Sequence, residues 1–583
     1  MTRTLQRRPA TLLLLLGAVL PAGAALPAPA ASQELPQTWQ EQQNFRSGPT
    51  PFEPLMKFWY ELDAMSDIVS MQPLTRTLLD RPFNMITIAD PPITTPQDAL
   101  RSGKTIVLIA PSVHGGEVSP KEAAQLVAKE LVAGDLRDVL DDVIVLVIPL
   151  INPDGGEVRR RTNEQGFDMN RDYLKLESQE IHALVTQVMN EWTPDIHLDG
   201  HHGGSSPYVI TYQGTLNPAG DAELRAYPYE NIFPLIREAA IQEDYVSFDY
   251  SGVRTENDVR GWGSTSVEPR KHHVYTGLTN SIGILLETPS NTHRVMSDGT
   301  VVAIPEEERY YHQIRGQFIA TSTILRAAAD QRDAIRAVTN GARQRAILAG
   351  TTGGDEIVLE YELANRGDEP VWMPNEEGEG YTLETVPVYL KWVPTRTTTR
   401  PVGYLLPPSM APILPRLMDH DIAVYGFQAP TTISAEVYYA TEVRRDNYFQ
   451  GHYLQSVSVE KEQEEVEVGQ GWYYIPTAQS RGNLISYLLE PETDDNLITW
   501  NWTDHVLQVT PESVEEVLAG MMGGRDASQM SEDQMNRMRQ FAERQMARRQ
   551  QVPMMRVVDT QDLPIVRVAP FNEYQRNRYF RTY

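Results

Sequence analysis

Two patterns of apolar and polar positions divide the chain near residue 350. Before that point, short continuous apolar runs, the clearest at 105–110 and 143–150, alternate with segments in which apolar residues recur every three or four positions. Such runs are typical of buried strands, and the recurrence is typical of amphipathic helices. The helix predicted between the two runs starts with a capping box, Ser119-Pro120-Lys121-Glu122. We therefore predict an α/β fold for residues 32–350, with a mostly parallel or mixed sheet flanked by helices.

Beyond residue 350 the apolar period changes to two, which is typical of strands with one buried face. The strand-like runs lie at 359–363, 386–393, 433–443 and 472–475. We predict that residues 351–583 form a second, β-rich domain, built as a sandwich. A Met-rich stretch at 520–550, with a capping box at Ser531 and Gln534, predicts a helix inserted into this domain.

The first 31 residues have the pattern of a secretory signal peptide. Three arginines precede an apolar core at 10–20, and two Ala-x-Ala cleavage signals follow it. The core is shorter than the about 20 residues that span a bilayer, so a cleaved leader is favoured over a membrane anchor. We predict a secreted or periplasmic protein.

Composition narrows the chemistry that the chain can perform. The 583 residues include 51 Lys and Arg against 78 Asp and Glu, a net charge of −27, which becomes −30 when the leader and its three arginines are removed. This charge repels polyanions, so we expect no nucleic-acid partner. The chain has no cysteine, so a bound metal must be held by histidine and carboxylate side chains.

Candidate metal-binding and catalytic residues lie at the ends of three of the predicted strands. His114 and Glu117, an HxxE pair, come after the run at 105–110, several histidines lie near the end of a strand at 195–201, and Glu287 ends a run at 281–287. Open α/β sheets bind ligands at the carboxyl ends of their strands. Two histidines and one glutamate would leave a fourth zinc position open for water, as a catalytic site requires.

Further polar segments occur between these strands. In order, they are Asn152-Pro153-Asp154-Gly155, Arg161-Thr162-Asn163 and Asp168-Met169-Asn170-Arg171. Over residues 50–330 the succession closely resembles the zinc carboxypeptidase family. The resemblance implies one zinc ion per chain, held by His114, Glu117 and one strand histidine. It also implies that Glu287 is the general base that deprotonates a zinc-bound water.

The same resemblance assigns roles to the intervening segments. It implies that Arg161 stabilises the oxyanion, and that Asn170 and Arg171 bind the carboxylate at the free C-terminus of the substrate, which a guanidinium can grip bidentately. It also implies that Asp168 orients His114, because metal-bound imidazoles usually need such a partner.

The resemblance implies a tyrosine near the substrate carboxylate as well. Tyr275 is the nearest candidate upstream of Glu287, and Tyr245 and Tyr250 compete with it. We expect His272 and His273, just before Tyr275, to lie on the surface or the pocket wall and not to form a second metal site.

Strand geometry selects the third zinc ligand. Because side chains alternate along a strand, His202 would point away from the face shared by His197 and His201. These two histidines are four residues apart, about 13 Å at 3.3 Å per residue, which is too far for one ion. The site lies beyond the strand's carboxyl end, so we predict that His201 binds the metal and that His197 is buried and hydrogen-bonded.

We therefore expect a secreted zinc metallocarboxypeptidase that acts on peptides with a free C-terminus. One alternative is a zinc amidase that acts on cell-wall peptides or acylated amino acids, since related folds use the same ligands. Another is an inactive secreted binding protein whose β domain carries out the binding. The presence of both Asn170 and Arg171 favours the carboxypeptidase, because a substrate without a free carboxylate would not need them.

Overall fold

The structure is a computed structural model. It describes residues 35–46, 48–264, 266–296, 298–376, 380–511, 513–523, 530–546, 549–559 and 563–569. The predicted signal peptide, residues 1–31, lies outside the described residues.

The described residues form strands and helices that we number in chain order. The strands are β1 Val69–Arg76, β2 Pro82–Ile88, β3 Thr105–Pro111, β4 Val143–Val147, β5 Ile196–His201, β6 Ile210–Gly214, β7 Ser247–Asp249, β8 Gly252–Glu256, β9 Val259–Gly263, β10 Ile282–Glu287, β11 His293–Val295, β12 Val301–Ala303, β13 Glu356–Ala364, β14 Asp368–Pro374, β15 Tyr381–Tyr389, β16 Lys391–Thr399, β17 Gly403–Leu406, β18 Tyr425–Phe427, β19 Thr431–Phe449, β20 His452–Val468, β21 Tyr473–Pro476, β22 Gln550–Val557 and β23 Ile565–Arg567. The helices are α1 Trp39–Gln42, α2 Phe52–Met65, α3 Pro96–Ser102, α4 Ser119–Ala133, α5 Pro153–Glu157, α6 Gln179–Ala183, α7 Asn190–Trp192, α8 Ala222–Tyr227, α9 Phe233–Gln242, α10 His272–Leu278, α11 Glu306–Asp330, α12 Arg332–Thr352, α13 Leu414–Asp419, α14 Gly482–Leu489, α15 Val514–Met522 and α16 Glu532–Met546.

A mixed sheet of eight described strands forms the centre of the first region, in the order β1-β2-β4-β3-β5-β10-β6-β7. The neighbours β4, β3, β5 and β10 are parallel, whereas β2 and β6 run antiparallel to β4 and β10. Every residue of β3, β4, β5 and β10 is buried, as the continuous apolar runs predict for strands covered on both faces. The predicted α/β fold is confirmed.

The start of helix α4 differs from the prediction. Val118 and not Ser119 caps the helix, and no side chain makes the capping hydrogen bond. The Ser119 hydroxyl lies 2.6 Å from His202 Nε2, and the Glu122 carboxylate accepts hydrogen bonds from the main chain and hydroxyl of Thr50. The predicted capping box is therefore wrong, because both of its side chains are used in contacts with other segments.

The region after residue 350 is β-rich, as predicted, and its strand pairs are mostly antiparallel. Its largest sheet has seven described strands in the order β20-β19-β22-β17-β21-β18-β23. One face of this sheet contributes to the same apolar core as the central sheet, and the other face has an apolar cluster of its own. The run predicted as one strand at 386–393 is two strands, β15 and β16, separated by Leu390. The domain boundary near residue 350 stays a prediction, and α12 ends there at Thr352.

The Met-rich stretch contains helix α16. The Ser531 main-chain N–H donates to Gln534 Oε1 at 2.9 Å, and the Gln534 N–H donates to the Ser531 hydroxyl at 3.3 Å, so both bonds of this predicted capping box are present. Helix α15 packs against α16. Residues 524–529 and 547–548 of the predicted insertion lie outside the described part of the chain.

Candidate active site

The candidate site lies where three neighbouring strands of the central sheet end. β5 runs between β3 and β10, and Glu287, the last residue of β10, pairs with His201, the last residue of β5. His114 and Glu117 lie on the loop that connects β3 to α4. The carboxyl ends of parallel strands meet at one edge of a sheet, so these four side chains converge there.

His114, Glu117 and His201 form a cluster whose ligand atoms all lie within 4.8 Å of one another. Glu117 Oε1 is 2.8 Å from His114 Nδ1, and Glu117 Oε2 is 2.8 Å from His201 Nδ1. The two Nδ1 atoms are 3.1 Å apart. The three side chains therefore face a common point.

A carboxylate holds the far nitrogen of each ring. His114 Nε2 lies 2.9 Å from Asp168 Oδ1, and His201 Nε2 lies 2.8 Å from Asp199 Oδ1. An ionised carboxylate only accepts hydrogen bonds, so each Nε2 carries a proton and each neutral ring presents a lone pair at Nδ1. This second carboxylate is the usual support of a metal-bound imidazole.

The cluster fits a zinc ion. Two nitrogen lone pairs and a carboxylate at about 3 Å from one another repel unless a positive charge lies between them. Ligands 2.1 Å from one tetrahedral ion are about 3.4 Å apart, close to the separations seen here. Although burial opposes it, the charges of Asp199 and Glu117 raise the pKa of His201 well above its usual value, so without a metal a proton supplies this charge.

Glu287 is buried beside this cluster with one free oxygen. Its Oε2 accepts a hydrogen bond from none of the described residues. Burial raises the pKa of Glu287 to about 8, with the carboxylates of Glu117 and Asp199 adding to the shift and His201 opposing it. A Cβ at Gly203 would lie 2.4 Å from Oε2, so a glycine at this position leaves the carboxylate its space.

Arg161 and Arg171 lie at the same edge of the sheet. Arg161 is about half exposed, and it donates to Asp168 Oδ2 at 3.0 Å and to Glu117 Oε1 at 3.1 Å. Arg171 Nη1 donates to the Asn170 carbonyl at 2.7 Å. A guanidinium has five N–H donors, so both side chains keep donors for substrate oxygens.

The contacts of Asn170 differ from those expected for the role that the resemblance implies, which is to bind the substrate's carboxylate. Its side chain is buried, its Oδ1 accepts from the His272 main-chain N–H at 2.8 Å, and its Nδ2 lies 3.0 Å from His201 Nε2 and 3.4 Å from Asp199 Oδ2. Both ends of the amide are thus occupied within the protein. Since His201 Nε2 carries a proton, the acceptor for the Asn170 amide is Asp199 Oδ2, so the position suits support of the carboxylate that holds His201 better than contact with a substrate.

The structure does not bring Tyr275 to the cluster. This residue is buried in α10, and its hydroxyl lies 2.9 Å from His420 Nδ1, so the hydroxyl is used inside the protein. Tyr250 lies near the site: the Glu287 carboxylate, then burial and Glu117, raise the pKa of its hydroxyl. Sequence distance from Glu287 favoured Tyr275, and no signal in the sequence singled out Tyr250.

Three more histidines lie behind the cluster. His272 and His273 are buried and not on the surface, and their Nδ1 atoms lie 3.6 and 3.5 Å from the two oxygens of Asp199. His197 Nδ1 is 3.3 Å from His272 Nε2. Asp199 was not among the site residues predicted from the sequence, although its position two residues before His201 on one strand face was a signal for it.

Known proteins resemble the chain in this region. A model of the family described as "Zinc carboxypeptidase" matches residues 55–217. This chain contains a zinc carboxypeptidase domain. The predicted resemblance to this family is therefore confirmed over these residues. Carboxypeptidase 2 of Trichophyton rubrum is 22% identical over 434 residues, 68% of this chain and 74% of that protein, and Carboxypeptidase 2 of Trichophyton equinum is 23% identical over 424 residues with the same coverage.

Solved structures show a more distant likeness. A metallo-carboxypeptidase from Burkholderia cenocepacia is 21% identical, with a TM-score of 0.38 over 48% of this chain and 69% of that one. A metallo-carboxypeptidase from Pseudomonas aeruginosa is 19% identical, with a TM-score of 0.37 over 49% and 70%.

Proposed function

We propose that this chain is an exported zinc-dependent carboxypeptidase that hydrolyses the C-terminal peptide bond of peptides. The observation that carries the proposal is the convergence of His114 Nδ1, His201 Nδ1 and the Glu117 carboxylate on one point, with Glu287 beside them. In this proposal His114, Glu117 and His201 hold one zinc ion. When bound, that ion supplies a Lewis acid that polarises the substrate carbonyl and acidifies water.

The carboxylate of Glu287 acts as the base in this proposal. It takes one proton from the attacking water and returns a proton to the leaving amine nitrogen as the C–N bond breaks, so the products are a shortened peptide and a free amino acid. Arg161 donates to the carbonyl oxygen as negative charge develops on it. Its bonds to Asp168 and Glu117 fix the guanidinium at the site.

Arg171 binds the substrate's terminal carboxylate in this proposal. Its guanidinium lies on the segment that follows Asp168, and a planar guanidinium pairs with a carboxylate through two parallel hydrogen bonds. Tyr250 is a second candidate for contact with the substrate, because its hydroxyl lies in the field of Glu287, Arg161 and Arg171.

Export rests on the pattern of the first 31 residues. In the part of the chain that the structure describes, no helix has both the length and the apolar character needed to cross a membrane.

The test is mass spectrometry of a peptide pool incubated with the zinc-loaded full-length protein. Each peptide is supplied with a free C-terminus and as its amide, and a parallel sample contains a chelator. We expect loss of single C-terminal residues from the free acids, at least about 10-fold slower cleavage of the amides because Arg171 lacks its charged partner, and no cleavage with chelator. Equal rates on acids and amides would favour the amidase, and zinc binding without turnover would favour the binding protein.

A further inference from the structure

A long β-hairpin of the C-terminal region reaches the candidate active site. β19 and β20 pair along almost their whole length, and Phe449 pairs with His452 at the end. The connecting residues, Gln450 and Gly451, have φ angles of 49° and 86°. This is the two-residue turn whose central residues both need positive φ, for which Asn-Gly is the usual sequence. We call residues 449–452 the hairpin tip.

Glutamine is unusual in the first position of this turn. A side chain other than Gly, Asn or Asp is disfavoured at positive φ, so its presence points to a compensating contact. The contact is present. Gln450 Oε1 accepts a hydrogen bond from the main-chain N–H of Asp168 at 2.8 Å, across 282 residues of sequence.

The rest of the hairpin tip is held on the segment that follows Asp168. Lys175 Nζ donates to the Gln450 carbonyl at 3.2 Å, and His452 Nε2 lies 2.9 Å from Glu177 Oε1. A Cβ at Gly451 would lie 3.3 Å from the Phe167 ring, so the turn packs closely against the residue before Asp168. The tip is therefore fixed on both sides of the segment that carries Arg171.

The rings beneath the tip make this contact rigid. His452 packs edge-on against Trp500 at 5.5 Å, and Phe449 lies 6.4 Å from the same ring. The ammonium of Lys175, which is buried, lies 5.0 Å from the Phe167 ring and 5.2 Å from that of Trp500. Such cation–π contacts gain strength away from water.

Asp168 connects this contact to the metal cluster. Its Oδ1 holds His114 Nε2 at 2.9 Å, and its Oδ2 accepts from Arg161 at 3.0 Å. A shift of the Asp168 main chain would therefore move a metal ligand and the proposed oxyanion donor together. Partners that orient metal ligands change metal affinity or activity by about 10- to 100-fold when they are removed.

We propose that Gln450 is a positioning residue of the active site, and that the C-terminal region acts in the reaction through this hairpin tip by fixing Asp168 and, through it, His114 and Arg161. The proposal rests on the zinc site and function proposed above. In this proposal the C-terminal region fixes the main chain of Asp168 from outside the segment that carries the metal ligands.

The test compares three variants of the full-length protein. Gln450→Gly removes the acceptor and relieves the positive φ, so the turn itself should be no less stable. Gln450→Glu keeps an oxygen acceptor of the same reach and should therefore keep wild-type zinc affinity and kcat. Gln463→Ala is the matched control, because Gln463 is an exposed glutamine of β20 far along the hairpin from the tip.

The readouts are zinc affinity by competition with a chromophoric chelator, kcat and KM on a free-acid peptide, and thermal unfolding. We expect Gln450→Gly to weaken zinc binding by about 10-fold and to lower kcat more than it raises KM, with Tm unchanged or higher. Gln450→Glu and Gln463→Ala should match the wild type. Because zinc affinity is measured without a substrate, this result can stand even if the wild-type protein cleaves no peptide.

Two results would overturn the proposal. One is a Gln450→Gly variant with wild-type zinc affinity and kcat. The other is equal loss of zinc and Tm in both Gln450→Gly and Gln450→Glu, which would mean that the contact serves folding alone.

Discussion

Two groups of histidines lie on opposite sides of Asp199, and only one of the two groups has the ligand geometry of a metal site. The front group is His114 and His201, and the rear group is His197, His272 and His273. All five rings are buried to a similar degree, with at most 3% of any residue exposed. Neither the number of imidazoles nor their burial distinguishes the groups.

The groups differ in their carboxylates. In the front group, Glu117 bridges the two Nδ1 atoms, and each ring has its own aspartate at Nε2. In the rear group, His272 and His273 lie 3.6 and 3.5 Å from the carboxylate of Asp199, which also holds His201, and His197 contacts His272. Among the described residues, the front group together with Glu117 is the one set of three or more histidine and carboxylate side chains that lie close enough together to hold a metal ion.

Members of the two groups also differ in protonation. The charges of Asp199 and Glu117 raise the pKa of His201 well above its usual value, whereas burial lowers the pKa of His197 strongly and that of His273 to about 4. His201 thus attracts positive charge, whereas His197 and His273 exclude it. A metal site in this fold requires acidic side chains around the imidazoles and a place at the sheet's edge.

The largest effect that tests this comparison is loss of the metal itself. His201→Ala should reduce zinc from one ion per folded chain to nearly none, and activity should disappear with it. His197→Ala should keep the zinc and lower the free energy of unfolding by about 2 kcal/mol, because it opens a cavity in a buried cluster. Metal analysis by mass spectrometry and urea unfolding measure the two quantities. Metal loss from the His197 variant alone would mean that the rear group binds the metal and that the front group does not.

The next effect separates the front group from Glu287, the proposed base beside it. Glu287→Gln keeps the shape of the side chain and removes the proton acceptor, so kcat should fall by about 10²–10⁴ while zinc content and Tm stay at wild-type values. Steady-state kinetics on a free-acid peptide, with metal analysis of the same sample, provide the measurement. Near-normal turnover would show that another residue is the base.

Part of this site could be predicted from strand geometry. The alternation of side chains along β5 disfavoured His202, and the position of the site beyond the strand's carboxyl end favoured His201 over His197. The HxxE pair and the family resemblance indicated His114 and Glu117. The roles of Asn170 and Tyr275 were carried over from a family resemblance. Their side-chain contacts in this chain, with His201 and with His420, depend on helix α10 and on the C-terminal region, which no local pattern reveals.

The C-terminal region shows the same limit more clearly. Alternation predicted a strand at 433–443, which lies within β19, because period two reports which face of a strand is buried. Strand β20 was not among the predicted strands. Alternation carries no information about what the end of a hairpin touches. The contact of Gln450 with Asp168 spans 282 residues and appears only in the folded chain.

A smaller effect is expected at Asp199, which both groups share. Asp199→Asn should weaken zinc binding by about 10- to 100-fold, because His201 loses the carboxylate that fixes its tautomer and ring orientation. Asp195→Asn is the matched control, since Asp195 precedes the same strand at its opposite end and bonds to Ile106 and Thr339. Chelator competition gives both affinities. Equal zinc affinity in the two variants would mean that the front group holds its metal without help from Asp199.

The smallest effect is a change in how stability depends on pH. Burial lowers the pKa of His273 to about 4 in the fold, whereas in the unfolded chain it is near 6.5. Between these values the unfolded state binds the extra proton, so the contribution of this residue is fully present above pH 6.5 and is lost as pH falls towards 4. One such group changes the free energy of unfolding by about 1.4 kcal/mol per pH unit.

His273→Gln should make the fall of the free energy of unfolding with decreasing pH shallower by about that slope. The measurement is urea unfolding between pH 7 and 4 in the presence of chelator, so that release of zinc from the front group does not enter the comparison. An unchanged slope would mean that His273 takes up its proton in the folded state, and the rear group would then differ from the front group in geometry alone.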